Sequence, residues 1–470
     1  MENLNKPALD ERKAYETMKN RKEKFGVFHK SCFHVHTPAS HDYKLLESWN
    51  SEDFKVATEQ HLYEICIEKE IFTKITSLDD IVLDKERQCY MNKKEFLAFI
   101  LLANEIILNQ IEIVLVTDHH TIEGFDKLEI AISELFKIRK KAVYPEVILG
   151  IEISCADKNH VVGIFEDTEE NREKINKWIK ENVLSPKDGS FRTTIDALNF
   201  IKTINGIGYI AHLDISDTFK ESYLNGAYKK MLFSNERSQF IGLVNYEKRN
   251  SIAKKIKPFS STEIKFIIDN DSHDIDSIAD NFFWIKGSKR NFRMVKEALD
   301  DYDISISFKE ERIAKQYIKG IYIENESSGF LRGDEGAFCL TFSPALNCLI
   351  GGRGTGKSSI LEILEYVLGQ RCRDEKKLDF ICSHGNTWIL YEDNGEEYLI
   401  EMRMPIKEFH EDNVLKNFGQ NRSDRYEFNY NYDKEEVKEY SRLRLMGISK
   451  IVYIENEWYL EKTPHNKKVF

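Results

Sequence analysis

From Val27 onward the chain alternates strand-like apolar runs with helical periodicity, and its metal-capable side chains gather at the strand ends. The strand-like runs are Val27–His36, Ile111–Thr117, Val147–Ser154, His160–Phe165, Ile207–Leu213, Phe240–Tyr246, Glu263–Asp269 and Asn281–Ile285. Helical periodicity fills Glu95–Gln110, Lys127–Lys141, Glu170–Val183, Thr194–Asn205, Gly226–Leu232 and Met294–Asp301. Such alternation predicts a parallel sheet covered by helices, open or closed into a barrel, with its active site at the carboxyl ends of the strands. Asp118 and His119 end the second run and Glu152 lies near the end of the third. His160 opens the fourth, His212 ends the fifth, and Asp271 and His273 follow the seventh. In the first run, His34 and His36 stand two apart, a spacing that puts both imidazoles on one face of a strand. An H-x-H pair alone is a weak signal, but six of the 13 histidines lie at or beside strand ends, where chance would scatter them over helices too. Imidazoles with carboxylates suit Zn, Mn or Fe.

The 470 residues allow about two to four domains. The longest apolar run, Phe96–Leu108, is interrupted by Asn104 and Glu105, so no membrane span is expected, and the first thirty residues lack a signal-peptide core. Eight cysteines without a C-x-x-C pair point to neither a disulfide framework nor a thiolate zinc site, and a reduced, cytoplasmic setting is expected. A net charge of −11 excludes a protein that coats nucleic acid with one basic face, while leaving room for a local groove. Lys289-Arg290-Asn291-Phe292-Arg293 and Arg139-Lys140-Lys141 are candidates, with solvated patches the plainer reading. Residues 1–24 read as a charged, exposed helix or arm. Between Asp42 and the second strand lie roughly seventy residues, too many for a βα loop. With Leu62–Ile71 helical, about 44–110 is expected to be an inserted flank whose His61 and Cys66 pack or face solvent.

The segments HVHTPASHD, TDHH, GIEIS with NHVVGIF, YIAHLD and DNDSH resemble, in order, the motifs of the PHP (polymerase and histidinol phosphatase) superfamily of metal-dependent phosphoesterases. The resemblance implies an α/β fold, a distorted (β/α)7 barrel over residues 25–308, holding two or three divalent ions. Carried over residue by residue, the implied ligands are His34, His36, Asp42, His119, Glu152, His160, His212, Asp271 and His273. Either Asp42 or His41 fills the loop position. Asp118 is expected to orient His119 or a neighbour, His120 to face solvent, and His212 or Asp214 to carry a proton. Clustered ions would acidify a shared water and neutralise phosphoryl oxygens. Lys289, Arg290 and Arg293 would hold a second phosphate of a nucleic-acid substrate.

The second half, about 315–470, opens with strand-like Ile318–Glu324 and Ala337–Phe342 and a buried strand over Leu346–Ile350. Gly351-Gly352-Arg353-Gly354-Thr355-Gly356-Lys357-Ser358-Ser359 then leads into the apolar helix Ile360–Leu368, the phosphate-cradling loop G-x4-G-K-[ST] in its strand–loop–helix context. Gly351, Gly354, Gly356, Lys357, Ser358 and Ser359 are the candidate contacts for ATP with Mg²⁺, Lys357 on the β/γ-phosphates and Ser358 on the metal. The stretch from Leu340 to Leu364 resembles the opening of SMC- and RecF-like ABC ATPases, and the whole resembles TrlF-like PHP–ATPase fusions. A strand ending Asp-Glu and an LSGGQ-like signature are not visible, and Glu455 or Glu457 stands where that family has a glutamine. The expectation is a first ATPase lobe, from a truncated product or completed by a second copy or a partner chain.

The leading expectation is a metal-dependent nuclease coupled to an ATP-binding module, in DNA repair or defence against foreign DNA. Two alternatives remain open: a phosphatase for a small ester or nucleotide, and a nucleotide-sensing regulatory protein with structural metals.

Overall fold

A computed structural model describes residues 4–21, 25–72, 77–83, 87–138, 143–220, 224–234, 238–260, 263–309, 314–324, 329–333, 336–369, 380–381, 383–402, 446–454 and 457–462. Arg139–Lys141 and Glu455 lie outside the described residues. The chain divides into two compact units, Gly26–Glu311 and a second made of Met1–Phe25 with Arg312–Phe470. No helix among the described residues is long and apolar enough to cross a membrane.

The first unit is built on strands β1 (Val27–Val35), β2 (Ile113–Val116), β3 (Glu146–Ser154), β4 (His160–Phe165), β5 (Ile207–Ile210), β6 (Phe240–Leu243), β7 (Lys265–Ile268) and β8 (Phe283–Gly287). They form one curled mixed sheet in the order β7-β6-β5-β4-β3-β2-β1-β8, with Ile306–Ser307 at the β8 edge. The chain just past β7 returns to β1: Asn270 N–H donates to Phe33 O at 2.9 Å, Ser272 N–H to His34 O at 3.3 Å and His36 N–H to Ser272 O at 2.9 Å. These bonds close seven strands into a ring at the end of the sheet where β1 finishes, while β8 takes the amino-terminal part of the same β1 edge. The enclosed face is dry at the amino end, filled by Phe33, Ile113, Leu115, Ile148, Val162, Ile164, Tyr209 and Ile267. The opposite face packs on helices α1 (Lys93–Leu108), α2 (Glu123–Ile138), α3 (Glu169–Asn182) and α4 (Thr194–Thr203).

The sheet is mixed, not parallel as expected. β4 runs antiparallel to both β3 and β5. Five residues, 155–159, separate β3 from β4, and a parallel crossover needs about a dozen or more. The reversal explains why His160 begins its strand: the start of β4 lies at the same end of the sheet as the carboxyl ends of its neighbours. β8 is likewise antiparallel to β1, with Gly287 opposite Val27. Lys289, Arg290 and Arg293 therefore sit at the amino end of a nine-residue strand, about 25 Å from its carboxyl end at the usual rise per residue. Arg290 donates to Tyr144 O at 2.7 Å and Arg293 pairs with Glu297 at 2.8 Å. They do not border the His34–His36 end, which overturns their expected phosphate role there.

The second unit is an antiparallel sheet of β9 (Gln316–Ile323), β10 (Phe338–Thr341), β11 (Thr387–Asp393), β12 (Glu396–Met402), β13 (Met446–Ile454) and β14 (Glu457–Lys462), in the order β14-β13-β12-β11-β9-β10, with Leu4–Asn5 pairing β14. Period-two alternation splits its core. Ile321, Ile323, Ile389 and Ile400 meet helix α5 (Lys357–Gly369) through Ile360, Ile363 and Val367. Tyr322, Trp388, Leu390 and Leu399 meet the amino-terminal helix Leu9–Asn20 through Ala14, Tyr15 and Met18. Leu9–Asn20 is thus a helix, as one of the two readings had it, but not an exposed one. Ala14, Tyr15 and Met18 fall on one helical face and are buried, and Tyr15 Oη donates to Glu397 at 2.8 Å. The expected strand Leu346–Ile350 is also absent. Those residues form no strand, and Leu346 and Ile350 are 88% and 93% exposed.

Truncating Tyr15→Ala removes a fully buried aromatic, a change that costs about 3–5 kcal/mol. The urea transition of the second unit should move to lower concentration while the metal content of the chain stays the same; an unshifted transition would show that the helix is not part of this core.

Candidate metal centre

The centre is organised around Glu152, whose carboxylate is fully buried. Ile148, Gly150 and Glu152 share the enclosed face of β3, so the strand that begins in the apolar floor ends with a charge above it. Oε2 lies 3.1 Å from His34 Nε2, 3.2 Å from His36 Nε2 and 3.3 Å from His119 Nδ1. Oε1 lies 2.6 Å from His160 Nδ1 and 3.2 Å from His212 Nε2. Burial alone would raise this carboxyl, but the surrounding His34, His119 and His160 hold it well below the usual range.

A second carboxylate, Asp42, sits nearer solvent, its Oδ2 at 3.2 Å from His119 Nε2 and 3.0 Å from His273 Nε2. Burial works against protonation of His273, yet Asp42 beside it pushes that imidazole up to about 9. Asp271 Oδ1 completes the group at 3.6 Å and 3.7 Å from the Nε2 atoms of His34 and His36. Three overlapping sets of donor atoms result, each within 4.8 Å of one another: His36, Asp42, His119 and His273; His34, His36, Glu152 and Asp271; and His119, Glu152 and His160. His212 joins through Glu152, so all nine expected ligands reach one cluster. His41 stands apart from these sets, its ring 5.2 Å from that of His119 in an edge contact.

Whether such a cluster fits cations can be read from its hydrogen bonds. Ser40 Oγ donates to Asp42 Oδ1 at 2.8 Å, which uses its one proton. His36 Nδ1, 3.2 Å from the same oxygen, is then the donor, and a neutral His36 presents a lone pair at Nε2. Burial, with His273 beside it, lowers this imidazole to about 4. That lone pair faces Glu152 Oε2, and both atoms are buried without a hydrogen-bond partner, as are both ring nitrogens of His34 and Nδ1 of His119 and His212. An acceptor facing an acceptor, as His36 Nε2 faces Glu152 Oε2 at 3.2 Å, is the arrangement that a shared cation stabilises and that water-free burial alone does not. The donor set fits divalent metal ions.

The supporting residues are partly those expected. Asp118 is fully buried, which pushes its carboxyl up to about 7. It holds Thr37, accepting from the backbone N–H at 2.6 Å and the hydroxyl at 2.8 Å, and so shapes the loop after His36 rather than orienting an imidazole. Gly124 makes room for that pair, since a Cβ there would lie 2.0 Å from Asp118 Oδ2. Asp214 accepts from Val244 N–H at 3.0 Å, Asn245 N–H at 3.1 Å and Lys248 at 3.3 Å, and it ties two loops together outside the cluster. His120, expected in solvent, is 5% exposed.

Two residues escaped the sequence reading. Ser40 bridges His36 and Asp42. Asp269, fully buried, accepts from Tyr209 Oη at 2.7 Å and His212 N–H at 2.5 Å and lies 3.5 Å from His34 Nδ1. Its signal was the spacing Asp269, Asp271, His273 in the sequence just past β7. The backbone also departs from regular strand: β1 shifts register between Cys32 and Val35, and His34 has φ +66°.

In the second unit, Gly354 and Gly356 adopt φ of +81° and +89°, conformations open to glycine. Gly351 to Ser359 precede and open α5, with Ser358 and Ser359 in its first turn. Lys357 Nζ donates to Gly351 O at 2.7 Å and Gly352 O at 2.6 Å, folded onto the loop that would cradle a phosphate.

Residues 330–467 match the family model of an AAA domain. The chain is 38% identical over 249 residues to an uncharacterized protein of Streptococcus pneumoniae serotype 4 (strain ATCC BAA-334 / TIGR4), covering 52% of this chain and 94% of that protein. Solved structures similar to it include endonuclease Q in complex with a 27-mer duplex carrying an abasic lesion, at TM-score 0.34 and 11% identity, covering 58% of this chain and 57% of that one. A two-domain protein of Bacteroides vulgatus ATCC 8482 containing a predicted PHP-like metal-dependent phosphoesterase gives TM-score 0.34 and 11% identity, over 68% and 87%. The lesion-specific endonuclease Q of Pyrococcus furiosus gives TM-score 0.36 and 11% identity, over 67% and 69%.

Glu152→Ala should remove at least one ion per chain from protein loaded with Mn²⁺ or Zn²⁺, read by mass spectrometry of the metal. Asp42→Ala should also lower the stoichiometry and His41→Ala should not; the reverse pattern would hand the loop position to His41.

The motif segments of the first unit meet in one cluster, the second unit carries the AAA-type region, and the chain belongs to the family of the pneumococcal protein.

Proposed function

We propose that the first unit is a metal-dependent phosphoesterase that cleaves phosphodiester bonds of nucleic acid, and that the second binds ATP with Mg²⁺ at Gly351–Ser359. The observation that carries the hydrolase reading is the convergence of buried, unpartnered imidazole nitrogens on Glu152. A structural metal site is closed by about four ligands, whereas eight residues here form overlapping sets that share His36, His119 and Glu152, with His212 beside Glu152. His36, Asp42, His119 and His273 would hold one ion, His34, His36, Glu152 and Asp271 a second, and His119, Glu152 and His160 with His212 a third. Bound divalent ions supply Lewis acidity toward a phosphoryl oxygen and a water acidic enough to attack near neutral pH.

The chain's own part is positional. His34, His36 and Glu152 have no exposed side-chain surface, whereas Asp42 and His160 are 34% and 31% exposed. Substrate therefore approaches over Asp42 and His160, with the His34 side as the dry wall. Of the two proton carriers expected, only His212 lies in the cluster; Asp214 is engaged elsewhere. The choice of nucleic acid over a small ester follows the resemblance to PHP–ATPase fusions, as does a setting in repair or defence. The same resemblance implies pairing around ATP with a second copy or a partner chain.

Full-length protein with Mn²⁺ should hydrolyse bis-p-nitrophenyl phosphate and labelled DNA or RNA, with loss of at least a hundredfold on adding EDTA or in His34→Ala. Turnover of p-nitrophenyl phosphate alone would favour a small-ester phosphatase, and no turnover at full metal occupancy would leave a binding protein.

Lys357→Ala should weaken ATP binding at least tenfold by calorimetry. Undiminished affinity would remove Lys357 from that role.

A further inference from the structure

The stretch Asn225–Lys257 carries eight Lys and Arg against two Glu, in a chain whose net charge is −11. It forms the helix Gly226–Phe233, β6 and the helix Arg249–Ile256. Both helices lie on the helix-covered face of the sheet, where Leu232, Phe233, Ile252 and Ile256 pack with Ile241 and Leu243. Lys229 is only 9% exposed, and its Nζ lies 5.8 Å from the ring centre of Phe219 and 6.0 Å from that of Phe259. Lys255, from the other helix, brings a second ammonium to 5.8 Å from Phe219. Aromatic faces attract a cation without cancelling its charge. Neither ammonium has a carboxylate partner among the described residues, and a charge as withdrawn from water as Lys229 is ordinarily paired.

Two hydrogen bonds tie this pair to the metal end of the barrel. Thr218, next to Phe219, donates its hydroxyl to Asn159 Oδ1, and both residues are buried. Tyr228, next to Lys229, donates its hydroxyl to Asp157. Asp157 and Asn159 belong to the link between β3 and β4 that ends in His160, the expected ligand whose imidazole is 31% exposed. Within 213–257, Asp214 and Asp217 are paired with Lys248 and Lys220. Among the described residues of that stretch, this leaves Glu247 alone against Lys229, Lys230, Arg249, Lys254, Lys255 and Lys257. The flank beside His160 is therefore strongly cationic.

Cations spread over two helices suit a succession of phosphates, whereas one small ester asks for donors that converge on a point. Phe219 between the two ammonium groups adds the apolar contact that a base or sugar of the same strand takes. We infer that this flank holds the phosphodiester backbone of a nucleic-acid strand whose scissile phosphate lies at the Glu152 cluster, with Lys229 and Lys255 on the phosphates that run past His160. The inference deepens the phosphoesterase reading by choosing nucleic acid over a small ester, and it rests on that reading for where the scissile phosphate lies.

The test measures binding, so that it stands apart from turnover. Full-length protein is titrated by fluorescence anisotropy, over a range of salt, with a labelled single-stranded phosphorothioate DNA of about 20 nucleotides, which is slow to hydrolyse. Lys229→Gln combined with Lys255→Gln should weaken binding at least tenfold and reduce the slope of log K against log salt by about 0.7 per lysine, with Mn²⁺ content unchanged. Lys229→Arg combined with Lys255→Arg, which keeps both charges, should keep the parent slope. Lys255→Gln alone alters an exposed side chain and should show half the change in slope even where the double variant fails to fold. An unchanged slope in Lys255→Gln overturns the inference, as does an equal loss of affinity toward polyglutamate. A slope that falls as expected in a protein that cleaves no ester keeps this surface and overturns the hydrolase reading alone.

Discussion

A carboxylate with no access to water has to be compensated where it stands, and in this protein the Glu152 carboxylate dictates the surroundings. Five imidazoles from β1, β2, β4 and β5 or the loops that follow them lie within 3.3 Å of its two oxygens. No single strand can supply five ligands to one point, so the requirement falls on the sheet as a whole. It must curl until its ends meet, and it must bring each strand end to the same height. Gly150, two residues earlier on the same face, shows how tightly the strands are drawn together: a Cβ there would lie 2.7 Å from Val116 O and 2.9 Å from Gly163 O. Below that level the enclosed face is apolar, and above it Glu152 meets His34, His36, His119, His160 and His212.

Much of this is legible in the sequence, because period-two alternation and strand-end chemistry are local signals. All eight strand runs of the first unit exist, and all nine expected ligands meet. What was not read was direction. The reversal of β4 was present in the five residues between Ser154 and His160, a link too short for a crossover, and overlooking it led to a uniformly parallel sheet. The direction of β8 carried no such signal. It decides that Lys289, Arg290 and Arg293 lie at the far end of the barrel, so a basic run that looked functional next to the last strand has a structural place. Asp214 misled for a related reason. It follows a ligand by two residues, but the chain leaves the strand at Ile210, and strand alternation no longer applies beyond that point.

The second unit shows the same limit from the other side. The glycine-rich loop was unmistakable because its chemistry depends on residue type at fixed spacing. The amino-terminal helix was misread as solvated because charged residues dominate its composition; its buried face rests on only three residues, Ala14, Tyr15 and Met18. Leu346–Ile350 failed for the opposite reason. Apolar composition called for burial, yet no neighbouring strand pairs with it among the described residues, and the side chains stand in solvent. Composition tells what a segment can bury, and the fold decides whether there is anything to bury it against.

The backbone at the centre carries a further cost that composition cannot express. His34, His212 and Asp271 all have positive φ, at +66°, +32° and +54°. For residues other than glycine such conformations cost about 1–3 kcal/mol each and persist only where the surroundings enforce them. The enforcing contacts are visible. Asp269 takes the N–H of His212, and the exchange of bonds among Asn270, Ser272, Phe33, His34 and His36 locks β1 to the chain past β7. Asp269 in turn fits only because Gly242 opposite has no side chain, since a Cβ there would meet its Oδ2 at 1.9 Å. The register shift at His34 is what turns His34 as well as His36 toward the face that Phe33 already occupies. A regular strand would have placed His34 on the opposite face from Phe33, among the helices. The H-x-H spacing thus works here through a distortion of the strand, and ring closure is what holds that distortion in place.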